Sequence, residues 1–590
     1  MSAALPSVPR TRWTIGLALL VAGACLAVSV HFRDSVNASR QRLRLSVDPE
    51  TLASLPPELA ITQVALGSFR GLMVDYLWSR AGDLQEEAQY HEAVQMAEWI
   101  TQLQPRFARV WSFQAWNLAY NVAITSPRPA ERWQWVQAAV ALLRDRAIPL
   151  NPTDYSLHRE LCWLFTHKIG GDTDDSHYYY KDRLAREWEA VLGVPPDNDR
   201  VAWFAPVAQA ASTGAELAAL HPQLRPLTDW LASQAVSEIP RAALAVLTEA
   251  PAPPAFPRVP TLDPAAAAAW TAYLRATVLR QQYGMDPQLM LDLMNECGPF
   301  DWRLPDAHAL YWITQGILRR VADSKAVRMP PAGDPSAQSI EARAAFYGHV
   351  NVSIAAKRLL LFGRLLHDPV RDFYLTNPDP RMLSFYERTV TSYEQTLPHA
   401  GEDSADAPIA LENTLLDGLK TAYLYGDPEQ AGQYLERLRA RFSRGEDRSR
   451  RYALPLDELL VELTVARVES ADDLTHEVQA LLGEGLDGGL AVDRPDVSER
   501  CLKLAREVLE RGCEKLSLAV LEFGAIEPLW EQTLRAFLAS PARYASPQKK
   551  ARVWAHLPAD YRQSVPADVK LWLEAQAERS GLDAKTLFDG

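Results

Sequence analysis

The sequence predicts an all-α protein: an irregular α-solenoid of helix pairs preceded by a single N-terminal transmembrane helix. Three observations carry that expectation. One apolar stretch near the N-terminus is free of charge, apolar residues recur with helical period through the rest of the chain, and proline-marked breaks repeat at matching offsets. At 590 residues the chain exceeds one ordinary core, which predicts several domains or one extended array.

The anchor comes first in chain order. From Trp13 to Val30 (WTIGLALLVAGACLAVSV) there is no charged residue, and Arg10, Arg12 and Arg33 bound the run. That length is close to the roughly 20 apolar residues a bilayer requires. Ala22-Gly23-Ala24 also offers small residues to a signal peptidase, and Ala24-Cys25 loosely resembles a lipid attachment site. The apolar run continues past Cys25 through Leu26, Ala27, Val28 and Val30, so the expectation is a retained single-pass helix over residues 13–32. Flanking charge does not orient it, because Arg33, Arg40, Arg42 and Arg44 follow it as well. A lone N-terminal signal-anchor more often exports a large following domain, which places the soluble part on the extracytoplasmic side.

Residues 1–12 then form a tail and residues 33–60 a juxtamembrane segment. Helical repeats are expected over 61–239, a Pro-rich linker over 240–264, further helical repeats over 265–398, and C-terminal repeats with a cap over 399–590. The first pair reads as one helix carrying Ile61, Val64, Ala65, Phe69, Leu72 and Met73, and a second carrying Tyr90, Ala93, Val94, Ala97 and Ile100. Gln104-Pro105 closes it. A Trp/Tyr-rich helix over 109–124, a break at Ser126-Pro127-Arg128-Pro129, a helix over 130–147 and Asn151-Pro152 repeat the grammar. Aligning Pro105 with Pro152 pairs Leu103 with Leu150 and Trp116 with Trp163, an internal repeat.

Further on, Pro251, Pro253, Pro254, Pro257 and Pro260 rule out regular helix across 240–264. Helices are expected over 265–282, 286–297 and 305–321, and loops over 329–336 and 399–408. After Asp457 the helical period continues, broken by the glycines between Gly483 and Gly489. Pro541, Pro547, Pro558 and Pro566 stop short helices of a terminal cap. No strand-rich region emerges.

Composition narrows the function. A formal charge of -13 with no basic stripe opposes nucleic-acid binding. Cys25, Cys162, Cys297, Cys501 and Cys513 show neither a CxxC pair nor a disulfide rhythm and read as small buried residues. His91-Glu92 is not followed by a second histidine at zincin spacing, and neither a phosphate-binding GxxxxGK[ST] nor a GxSxG elbow occurs. No cofactor is expected, and binding rather than catalysis is the expected mode of action.

Trp78-x2-Ala81-Gly82, with Ala93 and Pro105 following, resembles the tetratricopeptide repeat, as does Leu419, Tyr423, Gly426, Ala431, Leu435 and Leu438 in TAYLYGDPEQAGQYLERLRARF. The resemblance covers 60–240 and 410–445. The 47 residues between Pro105 and Pro152 exceed the family's repeat of about 34, so the array is irregular. In that family the first helix of each pair lines a concave surface whose asparagines contact bound peptides. The resemblance therefore implies a scaffold for a protein partner, within or beside a membrane complex. Gln114, Asn117 and Asn121, at i, i+3 and i+7, become the candidate contacts, with Trp111 and Trp116 as aromatic anchors. Hydrogen bonding inside the stack is the competing role for the amides, and helix packing for the tryptophans.

The turn from Gly170 to His177 holds Asp172, Asp174 and Asp175, flanked by His167 and Tyr178–Tyr180. As a calcium loop it fails, with His177 where Gly is needed and Arg183 where Glu is needed. An interhelical turn with a capping carboxylate is the simpler reading. The alternative function is a helical toroid-type enzyme acting on glycans through Asp172, Asp174 or Asp175. His308, in a turn entering a helix at Pro305, reads as structural.

Overall fold

The computed structural model describes residues 69–248, 256–257, 261–326, 350–400, 407–426, 428–518, 525–541, 544–559, 562, 567–580 and 582–588. The expected tail over 1–12, the anchor over 13–32, the juxtamembrane segment over 33–60, residues 249–255 and 258–260 of the Pro-rich linker, the loop over 329–336 and residues 401–406 of the loop over 399–408 lie outside them. Among the described residues, no helix is long and apolar enough to cross a membrane.

The described chain is helical. Its first three helix pairs are α1 (Phe69–Glu86) with α2 (Tyr90–Leu103), α3 (108–125) with α4 (129–150), and α5 (155–169) with α6 (His177–Leu192). Helix α3 runs from Ala108–Trp116 through a π-helical turn, Asn117–Val122, to Ala123–Thr125. Helix α4 follows the same plan, Pro129–Ala141, Leu142–Ala147 and Ile148–Leu150, and α5 comprises Tyr155–Trp163 and Leu164–Ile169. The boundaries follow local chemistry. Pro129 occupies the first turn of α4, where the missing N–H costs nothing. Asp154 caps α5 by accepting from Ser156 N at 2.9 Å. The same device starts Pro264–Gln281 and Pro287–Cys297, each with Asp before Pro, and Pro547–His556, with Ser before Pro.

In α1 the sequence phase is misplaced: Leu72 and Met73 are exposed, while Val74, Leu77, Ala81 and Leu84 are buried. Trp78 of the repeat-like motif packs on Phe113 at 5.2 Å and Phe107 at 5.9 Å between ring centroids, joining the first pair to the second. A continuous apolar core then runs from α3 to the helix Ile526–Ala539.

Three further expectations are corrected. The linker does not begin at Pro240, because Ile239–Leu247 is helical with Pro240 in its first turn. The glycine run does not end a helix at Gly483. Ala471–Asp487 continues through it, and a Cβ on Gly485 would lie 3.1 Å from the Cys501 Cβ, so the glycine admits the neighbouring helix Pro495–Leu516. Within 265–398 there is also a hairpin, β1 (Arg364–Asp368) antiparallel to β2 (Phe373–Asn377), registered Arg364↔Asn377 through Asp368↔Phe373.

The hairpin ties distant parts of the chain together. On one side Tyr374 N donates to Asp182 of α6 at 3.0 Å. On the other, Arg552 donates to the buried Asp368 at 2.6 Å, and Phe373 and Leu375 cluster with Val492. The C-terminal helices have their own apolar cluster around Leu534, Leu538, Trp554, Leu573 and Phe588. They turn back to the third helix pair, where Tyr178 and Ser580 line one pocket.

Candidate functional site

Helices α3 and α5 are built on one template. Each starts three residues after its proline, at Ala108 and Tyr155. Six residues after the proline, a side chain reaches back to that proline's carbonyl: Trp111 Nε1 donates to Pro105 O at 2.8 Å, and His158 Nε2 to Pro152 O at 3.3 Å. Asn151 Nδ2 adds a second donor to Pro105 O at 3.0 Å, linking consecutive repeats. The π-helical turn begins twelve residues after the proline in both. The clamp recurs at Pro305–Ala326, where His308 Nε2 donates to Trp302 O at 2.9 Å. Burial pulls His158 down to about 4 and His308 to about 3, so both imidazoles are neutral donors at neutral pH.

This shared template sets matching aromatic side chains beside each other on the surface. Trp116 is 39% exposed and Trp163 41% exposed. Trp116 stacks on Tyr120, with ring centroids 5.4 Å apart, and Trp163 stacks on His167 at 4.4 Å with planes 13° apart. Tyr120 Oη and His167 Nδ1, 2.9 Å apart, join the two stacks. Lys168 Nζ lies 5.0 Å from the Tyr120 ring centroid. Burial, with Lys168 and Arg358 nearby, holds His167 below its ordinary value. The result is a four-ring strip joining two matching helices.

The sequence candidates divide around this strip. Trp116 belongs to it, and Asn121 is half-buried beside it. Trp111, Gln114 and Asn117 are buried. Asn117 Oδ1 accepts from Asn121 Nδ2 at 2.6 Å, whereas Gln114 Oε1 and Asn117 Nδ2 have no partner among the described residues. The π turn that starts at Asn117 bonds i to i+5, so the α-helical spacing that aligned 114, 117 and 121 does not continue through it. Tyr120 and His167 were missed, although both stand fifteen residues after a repeat proline.

The acidic turn is largely structural. Asp174 is buried, accepting from Lys168 Nζ at 2.5 Å, Arg132 Nη1 at 3.1 Å, Tyr180 Oη at 3.1 Å and Ser176 N at 2.9 Å. Burial pushes its carboxyl up, but Lys168, Ser176 and Arg132 outweigh that and hold it below the ordinary carboxylate value. Asp172 and Asp175 are exposed, and among the described residues no group of His, Cys, Asp and Glu is arranged to hold a metal. Four cysteines, Cys162, Cys297, Cys501 and Cys513, are free and buried. Comparison with family models, curated proteins and solved structures finds no match for the chain.

Proposed function

We propose that the chain is a helical-repeat scaffold, irregular and tetratricopeptide-like in its helix pairing, anchored in a membrane through residues 13–32. Its soluble part lies on the extracytoplasmic side and docks a protein partner within or beside a membrane complex. The observation that supports this most directly is the strip of Trp116, Tyr120, Trp163 and His167. Two half-exposed tryptophans at equivalent repeat positions are costly to leave facing water, and aromatic anchors of this kind supply much of the energy at protein interfaces. The helix-pair grammar of α1 to α6 supports the repeat reading, and the uncharged run from Trp13 to Val30 supports the anchor.

Crosslinking in native membranes tests the docking. With Trp116→Ala and Trp163→Ala combined, the copurified partner is expected to be lost while helical content, read by circular dichroism, is unchanged. An identical set of copurifying proteins in wild type and variant would sink the reading. Protease accessibility on either side of the membrane tests the anchor and its orientation separately.

A further inference from the structure

A pocket of about 180 Å³ lies where five separated stretches of chain meet: the turn leading into α6, the helix over 350–362, strand β2, the end of Ala471–Asp487, and the start of Pro547–His556. The turn needs glycine, since a Cβ on Gly171 would strike the His167 carbonyl oxygen at 2.2 Å, and the tight path leaves the Gly171 carbonyl facing Lys181. Three basic side chains line the pocket. Two are matched by acids: Arg358 by Asp306 at 2.7 Å and Lys549 by Asp487 at 2.5 Å.

Lys181 is different. Its amine lies 2.9 Å from His177 Nδ1, 3.2 Å from the Gly171 carbonyl and 5.8 Å from the Phe362 ring centroid, with no carboxylate among the described residues in hydrogen-bond reach. Burial first, then repulsion by Arg358 and Lys549, lowers it to about 7, against the opposing pull of Asp306 and Asp172. Asp306 and Asp487 are engaged by their own cations, and Asp172 is exposed at the rim. The first turns of two helices add partial positive charge. His177 and Tyr178 open α6, and Ser546 caps the helix that carries Lys549 in its first turn.

We infer that this pocket binds an oxyanion, a carboxylate or a tetrahedral phosphate-type group carried by a small molecule, with the Lys181 ammonium as its principal partner. The bound anion restores the missing opposite charge to Lys181, and above neutral pH the amine takes a proton from solvent as the anion enters. Because the lining joins α6 to the helix Pro547–His556, the ligand also holds the C-terminal helices against α6.

Sulfate and acetate, titrated into the full chain in detergent against chloride at equal ionic strength, test this by calorimetry and thermal unfolding. Sulfate keeps its charge across the range, so the pH dependence reports the protein. Saturable binding by either anion is expected, weakening about tenfold per pH unit between 7 and 9, with close to one proton taken up per anion at pH 8. Sulfate without acetate identifies a tetrahedral ligand, and acetate without sulfate a planar one. Lys181→Met abolishes binding, and Lys181→Arg retains it without the pH dependence. The inference is overturned if wild type shows no saturable response beyond chloride, or if Lys181→Met binds as wild type does. Should the methionine variant fail to fold, an arginine variant that keeps the full pH dependence overturns it equally.

Discussion

Helices α3 and α5 share their start, their π-helical turn and their surface stacks, yet different side chains occupy matching positions. Six residues after the proline α3 has Trp111 and α5 has His158, and fifteen residues after it they have Tyr120 and His167. What repeats is the donor to the proline carbonyl, not the residue that supplies it. The indole cannot titrate, whereas the imidazole can, so one clamp is indifferent to acid and its counterpart is not.

The largest expected effect breaks the α3 clamp. Trp111 is 1% exposed, and Trp111→Ala leaves a cavity in the core at a cost of about 3–5 kcal/mol, measured by chemical denaturation of the full chain. A cost below about 1 kcal/mol would mean that the template is not held by this residue.

Acid separates the two clamps next. His158 drops from an ordinary value near 6.5 to about 4 on folding, so the unfolded chain binds its proton first. Its contribution is complete above about pH 6.5 and is lost progressively as pH falls to about 4, at about 1.4 kcal/mol per unit. His158→Phe should flatten that part of the stability profile, up to about 3 kcal/mol at pH 4. His308 continues to titrate in both proteins, so equal slopes would show that His158 carries none of the acid sensitivity.

A finer change isolates the hydrogen bond. Trp111→Phe keeps an aromatic ring but removes the indole donor, and Pro105 O retains Asn151 Nδ2. The expected loss is about 1 kcal/mol. The smallest effects belong to the surface stacks: Trp116→Ala and Trp163→Ala should each change stability by about 1 kcal/mol or less. A larger loss at either would make that ring a packing element and remove it from the binding strip.

Prolines made much of this architecture legible. Pro105 and Pro152 located the starts of α3 and α5, and the 419–438 motif located the turn between Ala407–Tyr425 and Pro428–Phe442. Trp116 was legible as one of a repeated pair, but the half-exposure that separates it from Trp111 depends on neighbours in space. The π-helical turns were not legible, because hydrogen bonding from i to i+5 leaves no residue-type signature in NLAYNV or LFTHKI. Nor was the hairpin, whose two five-residue strands are stabilised by α6 on one side and the C-terminal helices on the other, contacts far away in sequence. Gly485 read as a breaker because only the partner helix shows that its missing side chain is filled space.

Tyr178 and Ser580 line one pocket although some 400 residues separate them, and that distance has a meaning in time during biosynthesis. At about 5–20 residues per second, the face of α4 to α6 that receives the C-terminal helices leaves the ribosome roughly 20–80 seconds before its cover does. An apolar face would be an aggregation hazard over that interval. The seam instead sets groups that water solvates well, among them Arg132, Asp175, Ser176, Gln576 and Arg579, beside Trp572 and three prolines. Its polarity lets the nascent repeats wait in solvent until the end of the chain arrives to close on them.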